Sequence, residues 1–263
     1  MKGIKYYRPE IFNRFEIKTC SNVLHSYREH VHEELSFAYI EKGSTILNVR
    51  GKDYYIEAGE AVIIFPYVSH RCQPVDINDW KFTMVYIGDK LYKQIINSID
   101  KKSSIRIKKL NDFELNRVKQ LLNYLENHTN IYNREVKLIN TLIQLFNTCH
   151  IDIQYQSDKK INSIKRYIED HFLEEIRLKD IEDRFEVNKF VLIRNFKNKF
   201  NTTPSAYQLQ LKINYGKHLL KDSDDIVDIA LKSGFYDQAH FTKEFKKAYG
   251  ITPLQYRKAL KNQ

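Results

Sequence analysis

The stretch SGFYDQAHFTKEFKKAYGITPLQYR, residues 233–257, carries the clearest structural signal in the chain. A basic helical pattern begins at Asp237 and ends at Gly250 and Pro253. Asp is a favoured first residue of a helix because its side chain accepts a hydrogen bond from an unpaired backbone N–H, and Gly and Pro commonly end helices. The stretch therefore predicts a short helix with both ends fixed. Its buried face is expected to carry Phe241, Phe245 and Tyr249.

The same pattern occurs a second time, 49 residues earlier, in VNKFVLIRNFKNKFNTTPSAY, residues 187–207. The matched pairs are Phe196 and Phe245, Lys197 and Lys246, Phe200 and Tyr249, Pro204 and Pro253, and Tyr207 and Tyr256. Upstream, LKDIEDRFEV and IVDIALKSGF match at an offset of 48. Each copy is a short apolar helix, a tight turn and a longer helix headed by Asn188 or Asp237, which predicts tandem helix-turn-helix units.

The two longer helices have an apolar back and a polar front. In the first, the buried residues are expected to be Leu192, Phe196 and Phe200, and the front carries Lys189, Phe190, Ile193, Arg194 and Lys197. In the second, the front carries Gln238, Ala239, Thr242, Lys243 and Lys246. Arg, Lys, Gln and Thr hydrogen-bond base edges and phosphates in the major groove, so the fronts predict DNA binding. A solvated amphipathic helix is the alternative, and it is disfavoured because the front occurs twice in equivalent frames.

Length and charge agree with two domains, of which the second meets a polyanion. A chain of 263 residues is long enough for about two domains. Residues 159–263 hold 21 basic against 14 acidic side chains and residues 1–158 hold 22 against 19, so the last 105 residues carry +7 of the net +10. Such an excess indicates nucleic acid or an anionic membrane surface as partner.

The cysteines and the apolar segments restrict the compartment. Three cysteines without CxxC spacing indicate neither a disulfide framework nor a zinc finger. The N-terminus has no continuous apolar stretch typical of a signal peptide, and no segment approaches the ~20 apolar residues of a membrane-spanning helix. We therefore expect a cytoplasmic protein without a membrane partner.

The first half of the chain predicts an α+β organisation for the whole. Residues 15–88 contain short β-branched and aromatic runs broken by turns, which is typical of an antiparallel sandwich or barrel. Two helical patterns, 113–127 and 136–150, predict a helical hairpin that covers the sheet or mediates dimerisation. The polar segment 150–160 is interpreted as a linker. The predicted domains are thus residues 1–149, an antiparallel β-barrel with a helical hairpin, and residues 161–263, an all-α domain with tandem helix-turn-helix units.

The C-terminal part, roughly residues 161–260, resembles the AraC/XylS family of bacterial transcription regulators. The similarity is most specific in IALKSGFYDQAHFTKEFKKAYGITPLQYR, residues 229–257. The resemblance implies a long helix over about Pro204–Leu220 that joins two units, whose reading helices enter successive major-groove segments. It places base reading on Phe190, Ile193, Arg194, Gln238, Ala239, Thr242 and Lys243. It places phosphate contacts on Lys197, Lys246 and Lys247. The chain departs from the family at Glu182, where a small residue is usual, and at Gly216, where alanine is usual.

Histidines and one acid gather in the β-rich part, at His25, His30, His32, Glu34 and His70. Alternation along a strand would direct His30 and His32 to the same side. The pattern resembles the cupin-like sensor domain found in many members of this family. In metal-binding cupins such histidines join a glutamate in a metal site, but that glutamate is expected near Ser36. We favour an organic-effector pocket and no cofactor, and keep a zinc or iron centre of His30, His32 and His70 as the alternative.

The pocket is expected to use inward strand positions and aromatic residues. Its candidate residues are His30, His32, Glu34, Tyr39, His70, Trp80 and Tyr86, with Phe37 and Phe65 as further wall candidates. The first hypothesis is therefore a regulator without catalytic activity that senses a small-molecule effector, dimerises through the hairpin and binds double-stranded promoter DNA. An activator would also contact RNA polymerase. The alternatives are a metal-responsive regulator and a metal-dependent cupin enzyme with an appended helical domain.

Overall fold

The structure, a computed structural model, describes residues 3–8, 14–24, 29–97, 103–127, 130–154, 159–220 and 225–261. The strands are β1 Gly3–Tyr7, β2 Phe15–Ser21, β3 Leu35–Lys42, β4 Ser44–Val49, β5 Lys52–Glu57, β6 Glu60–Ile64, β7 Arg71–Pro74, β8 Lys81–Ile87, β9 Ser103–Lys109 and β10 Ile151–Gln154. The helices are α1 Asp89–Ile96, α2 Asp112–Asn127, α3 Ile131–Phe146, α4 Lys159–Asp170, α5 Leu178–Phe185, α6 Lys189–Phe200, α7 Pro204–Leu219, α8 Ile226–Lys232, α9 Gln238–Tyr249 and α10 Pro253–Lys261. None of these helices is long and apolar enough to cross a membrane.

The N-terminal strands form two antiparallel sheets that face each other. The larger sheet has the order β1-β2-β8-β3-β6-β9-β10 and the smaller the order β5-β4-β7. Side chains of both sheets line one apolar interior, among them Ile40 of β3, Leu47 of β4 and Phe82 of β8. The predicted antiparallel β fold is confirmed, and the barrel takes the form of two facing sheets.

Side chains of β3 point alternately to the interior between the sheets and to the outer face of the larger sheet. Ala38 and Ile40 point into the interior between the sheets, whereas Phe37 points to the outer face and packs against Phe146 of α3 with ring centroids 6.1 Å apart. The interior leaves a cavity of only about 20 Å³, which is room for about one water molecule. The space between the sheets is therefore a packed core.

The helical hairpin of α2 and α3 covers the outer face of the larger sheet. Its buried residues include Leu121, Leu125, Leu138 and Leu142, at the helical spacing that the sequence indicates. Asn130 caps α3 by accepting a hydrogen bond from the backbone N–H of Asn133 at 3.1 Å, so this helix begins earlier than predicted. The predicted hairpin is confirmed.

The interpretation of residues 150–160 as a linker is wrong for six of them, since residues 151–154 form β10 and Lys159 and Lys160 begin α4. Strand β10, Ile151–Gln154, pairs antiparallel with β9 and extends the larger sheet. Asp152 accepts a hydrogen bond from the buried Arg106 at 3.1 Å, and Arg106 also donates to the carbonyl of Phe146 at 2.7 Å. Arg106 lies 46 residues from Asp152 in sequence. The segment is polar and its strand partner is distant, so its sequence did not indicate a strand. Residues 155–158 of the expected linker lie outside the described residues.

The C-terminal part is all helical and repeats as the sequence indicates. Helices α5 and α6 form the first unit, α8 and α9 form the second, and α7 joins them. The second unit shares one apolar core with the β-sheets, in which Tyr6 of β1 packs edge to face against Tyr256 at 5.0 Å. The first unit has its own core, which includes Val31 from the N-terminal part. Both units therefore contact the β domain.

Candidate functional site

Helix α9 has the fixed ends and the exposed front that its sequence predicts. Asp237 accepts a hydrogen bond from the backbone N–H of His240 at 2.7 Å, and Gly250 ends the helix with φ of 82°, a conformation that favours glycine. The back, Phe241, Phe245 and Tyr249, is buried. On the front, Gln238, Ala239, Lys243 and Lys246 are exposed and Thr242 and Lys247 are half-buried.

Helix α6 presents an equivalent front in the first unit. Asn188 accepts a hydrogen bond from the backbone N–H of Phe190 at 2.9 Å, while Leu192, Phe196 and Phe200 are buried. The front residues Lys189, Phe190, Arg194 and Lys197 are exposed and Ile193 is half-buried. Phe190 has 70% of its surface in solvent, and an aromatic side chain on a reading helix suits contact with a thymine methyl.

The two departures from the family pattern have local explanations. The carboxylate of Glu182 accepts a hydrogen bond from the backbone N–H of Lys189, at the start of α6, where a negative charge is stabilised by the helix dipole. A Cβ atom at Gly216 would lie 2.5 Å from Cε2 of Phe241. Glycine therefore allows α7 to approach α9 more closely than alanine would.

Three of the predicted pocket residues form one compact cluster. His30, His32 and His70 are buried, and each offers a ring nitrogen within 4.8 Å of the others. The Nδ1 atom of His70 lies 2.9 Å from the carbonyl oxygen of Val68, which orients the ring. Burial lowers the pKa of His70 to about 4. Burial, followed by the neighbouring His30 and His70, lowers the pKa of His32 well below its ordinary value.

This cluster fits a transition metal better than its incomplete motif indicated. Neutral imidazole is the form that ligates zinc or iron, and the lowered pKa values keep His32 and His70 neutral at physiological pH. Nδ1 of His32 and Nε2 of His70 are buried and have no hydrogen-bond partner among the described residues. Three nitrogen donors match the protein ligand number of many open zinc sites. His25, the other histidine of this sequence region, lies outside the described residues.

The other predicted pocket residues do not line one pocket. Trp80 lines the small interior cavity, and Tyr39 lines an open groove on the outer face beside α2. Glu34 and Tyr86 line a third cavity of about 280 Å³ at the junction with the C-terminal domain. Among the described residues no one cavity joins these side chains. Strand alternation explains this for Tyr39, whose neighbours Ala38 and Ile40 point to the interior. Phe37 and Phe65 are buried in the core.

A buried lysine of α7 joins the two domains. The Nζ atom of Lys217 lies 3.0 Å from Oε1 of Glu16 and 3.3 Å from Oε1 of Glu34. It also lies 4.7 Å from the ring centroid of Tyr86. Burial opposes the charge on Lys217, but the carboxylates of Glu16 and Glu34 outweigh it and raise its pKa. The ion pair is thus formed at neutral pH.

Further polar contacts surround this lysine. Lys18 of β2 donates to the carbonyl of Tyr249 at 3.3 Å, and Asn214 donates to the carbonyl of Val31 at 3.3 Å. His218 lies 2.8 Å from Glu33. The contact between α7 and the β domain was not predicted from the sequence. One signal pointed to it: α7 carries a buried polar stripe of Gln210, Asn214 and Lys217 at helical spacing.

Comparison with known proteins identifies both halves. Residues 21–138 match the family described as an AraC-like ligand binding domain, and residues 181–259 match the family described as a helix-turn-helix domain. The transcriptional activator RhaS of Citrobacter koseri is 25% identical over 245 residues, which cover 88% of each chain. RhaS of Escherichia fergusonii is 25% identical over 244 residues, again 88% of each chain.

Solved structures show the same fold over nearly the whole chain. ToxT from Vibrio cholerae is 14% identical with a TM-score of 0.64, and the match covers 96% of this chain and 100% of ToxT. A second ToxT structure, bound to an unsaturated fatty acid, is 17% identical with a TM-score of 0.62, and the match covers 96% of this chain and 98% of ToxT. The arrangement of a β-sheet domain followed by a helix-turn-helix domain is therefore shared with ToxT.

Proposed function

This chain belongs to the AraC family of DNA-binding transcription regulators, with a ligand-binding domain ahead of its DNA-binding domain, and from that premise we propose which residues read DNA. Helices α6 and α9 enter successive major-groove segments on one face of the duplex. Bases are contacted by Phe190, Ile193, Arg194, Gln238, Ala239, Thr242 and Lys243, and phosphates by Lys189, Lys197, Lys246 and Lys247. The observation that supports this is the exposed front repeated on both helices.

Two lysines of α9 provide a matched test of these roles. Lys243→Ala should reduce discrimination at one base position by about 1–3 kcal/mol, because a base contact is lost there. Lys246→Ala should weaken binding to all sequences alike and lower the slope of affinity against salt concentration by about 1, because a phosphate contact is lost. Both are measured by titrating the full chain against duplexes of its upstream promoter with single base-pair changes. A uniform loss in Lys243→Ala would contradict a base-reading role.

Effector control is proposed to act through the contact around Lys217. That contact joins the ligand-binding domain to the helix between the two reading helices. An effector that favours one arrangement of the domains changes DNA affinity by its differential affinity for the two arrangements. The mechanism needs binding only, so no catalytic activity is proposed, and the protein acts where the chromosome is, in the cytoplasm.

The effector of this chain is proposed to differ in charge from the fatty acid of the ToxT structure. The cavity at the junction is lined by four carboxylates, Glu16, Glu33, Glu34 and Asp89. Only Arg8 and His218 of the lining are basic, so a fatty-acid carboxylate in that cavity would meet more like charges than opposite ones, which is unfavourable.

A homodimer formed through the hairpin is also proposed. Phe113, Tyr132 and Val136 of the hairpin are 69%, 68% and 39% exposed. Exposed apolar side chains on both helices of the hairpin favour burial against a second copy. If the chain activates transcription, the DNA-bound dimer contacts RNA polymerase.

A metal-responsive regulator is the second candidate, favoured by the three buried histidines. His30, His32 and His70 would hold zinc or a similar ion, which would supply a positive centre that fixes the chain around residues 30–32 beside the C-terminal domain. Metal analysis of protein purified without chelator tests this candidate. About one zinc per chain, lost in His70→Ala, supports it, and metal-free folded protein contradicts it.

A further inference from the structure

A cavity of about 280 Å³ lies at the junction between the β domain and α7. This volume is near the lower end of small-molecule sites. Its walls come from both domains: His218 belongs to α7, and the rest of the lining belongs to the N-terminal part. Its aromatic walls are Phe15, Tyr67, Tyr86 and Tyr92. A molecule bound here touches both sides of the domain contact.

The charge of the lining selects the chemistry of that molecule. The acidic residues are Glu16, Glu33, Glu34 and Asp89, and the basic ones are Arg8 and His218. Carboxylates attract a cation directly, and the faces of tyrosine rings attract it through their quadrupole. Glu33 pairs with His218 and the exposed Asp89 pairs with Lys93. The carboxylate best placed for a ligand is therefore Glu34, and together with the aromatic walls it favours an organic ammonium ion over an anionic ligand.

Lys217 shows how this wall holds an ammonium group. Its Nζ atom lies between the carboxylates of Glu16 and Glu34. The same atom lies 4.7 Å, 5.3 Å and 5.8 Å from the ring centroids of Tyr86, Tyr249 and Tyr256. Glu16, Glu34 and Tyr86 also line the cavity. Three of the side chains that surround the Lys217 ammonium group therefore also line the cavity.

We propose that the cavity binds a small organic amine in its ammonium form and that this ligand competes with Lys217 for Glu34. The inference rests on the proposed function, in which the effector acts at the domain contact. Glu34 is the shared carboxylate because it is more accessible, with 16% of its side chain exposed against 3% for Glu16. Its distance to Lys217 is also the longer of the two.

Competition for Glu34 couples the cavity to the position of α7. One carboxylate facing two ammonium ions binds each more weakly than it binds one, because the cations repel each other. Occupation of the cavity therefore weakens the contact of Lys217 with the β domain. Loss of the Lys217 charge, in turn, strengthens binding in the cavity.

The binding test uses a probe with two matched analogues. The full chain is titrated by calorimetry at constant ionic strength with 2-phenylethylammonium chloride, sodium 3-phenylpropanoate and 2-phenylethanol. The ammonium probe should bind about tenfold or more tightly than either analogue, since only it carries the charge that the wall attracts. Equal binding of the three, or no binding of the ammonium probe, overturns the inference.

Two variants locate the site. Glu34→Gln should weaken binding of the ammonium probe about tenfold or more, because its carboxylate charge is removed. Lys217→Gln should tighten it by a similar factor, because the internal competitor is removed. General destabilisation of the fold would weaken binding of the probe, so tighter binding cannot result from it. If Lys217→Gln lacks the cooperative thermal transition of the parent, Glu33→Gln replaces it and should weaken binding. Unchanged affinity in the folded variants overturns the inference.

A separate titration distinguishes this inference from the proposed function. Binding of the upstream promoter duplex is measured by fluorescence anisotropy without the probe. Specific DNA binding without ammonium binding overturns the ligand inference alone. Ammonium binding with the predicted variant effects, but without specific DNA binding, overturns the proposed function and leaves the site in place.

Discussion

At the scale of single residues, two buried lysines at the domain contact have opposite environments. Lys217 faces the carboxylates of Glu16 and Glu34, which keep it charged. Lys18 donates to the carbonyl of Tyr249 and lies over the ring of Tyr6. Burial lowers the pKa of Lys18 to about 8. The domain contact therefore contains one satisfied cation and one that costs stability.

Replacing Lys18 with methionine should stabilise the fold near neutral pH. Burial depresses the pKa of Lys18 from 10.5 to about 8 in the folded state, so the unfolded chain binds more protons between these values. The charged form then costs up to roughly 3 kcal/mol below pH 8, and the cost declines as pH rises toward 10.5. Urea unfolding at pH 7, 9 and 10 should show the advantage of Lys18→Met shrinking with pH. Lys5→Met, at an exposed site, is the control, and a pH-independent difference for Lys18→Met would contradict the account.

Replacing Gly216 with alanine should destabilise the second unit. The added Cβ would overlap the ring of Phe241, which is fully buried. Overpacking of this kind costs about 1–3 kcal/mol. Thermal unfolding measures it, with Ser205→Ala on the exposed start of α7 as the control. Adding Phe241→Leu should restore part of the lost thermal stability, because its side chain is smaller and has no ring. Unchanged stability of Gly216→Ala would refute the close approach of α7 and α9.

At the scale of helices and strands, local signals were readable and distant pairings were not. Caps at Asn188 and Asp237 and apolar residues three and four apart predicted α6 and α9, because a helix is formed by neighbours in sequence. Strand β10 escaped because its partner β9 lies more than 40 residues away and its signal is four residues long. The role of the polar stripe of α7 was not predicted for a similar reason, since its partners lie in the β domain.

The carboxylate of Glu182 should matter for the start of α6. It accepts a hydrogen bond from the backbone N–H of Lys189, one of the donors that a helix start leaves unpaired. Glu182→Ala should lower the free energy of unfolding by about 1 kcal/mol, the cost of a lost cap. Asp183→Ala, at the exposed neighbouring position, is the control. Equal stability of the two variants in urea unfolding would exclude a capping role.

At the scale of the whole molecule, both helix-turn-helix units are attached to the β domain. The second unit shares one apolar core with the β domain. The first unit contacts the β domain through Val31 and through Asn201, which donates a hydrogen bond to Glu29 at 3.0 Å. The sequence predicted the two domains but not this attachment, because the polar groups involved have no periodic pattern within the β domain. A ligand bound at the junction would therefore lie beside a contact that both units share with the β domain.

Self-association through the hairpin should depend on its exposed aromatic residues. Tyr132→Glu should weaken the dimer about tenfold or more, because a charge would be buried against the second copy. Sedimentation equilibrium measures the change. Tyr55→Glu on β5 is the matched control, since Tyr55 is 62% exposed on another face. A dimer unaffected by Tyr132→Glu would place the interface elsewhere.

Specific recognition of DNA by both fronts is tested by a comparison of two duplexes. The full chain is titrated by fluorescence anisotropy against its upstream promoter duplex and a scrambled duplex of equal composition, at one fixed salt concentration. We expect about 1,000-fold or greater preference for the promoter, and a preference reduced at least tenfold in Arg194→Ala combined with Lys243→Ala. Equal affinity for the two duplexes, or a preference unchanged in that variant, would contradict it.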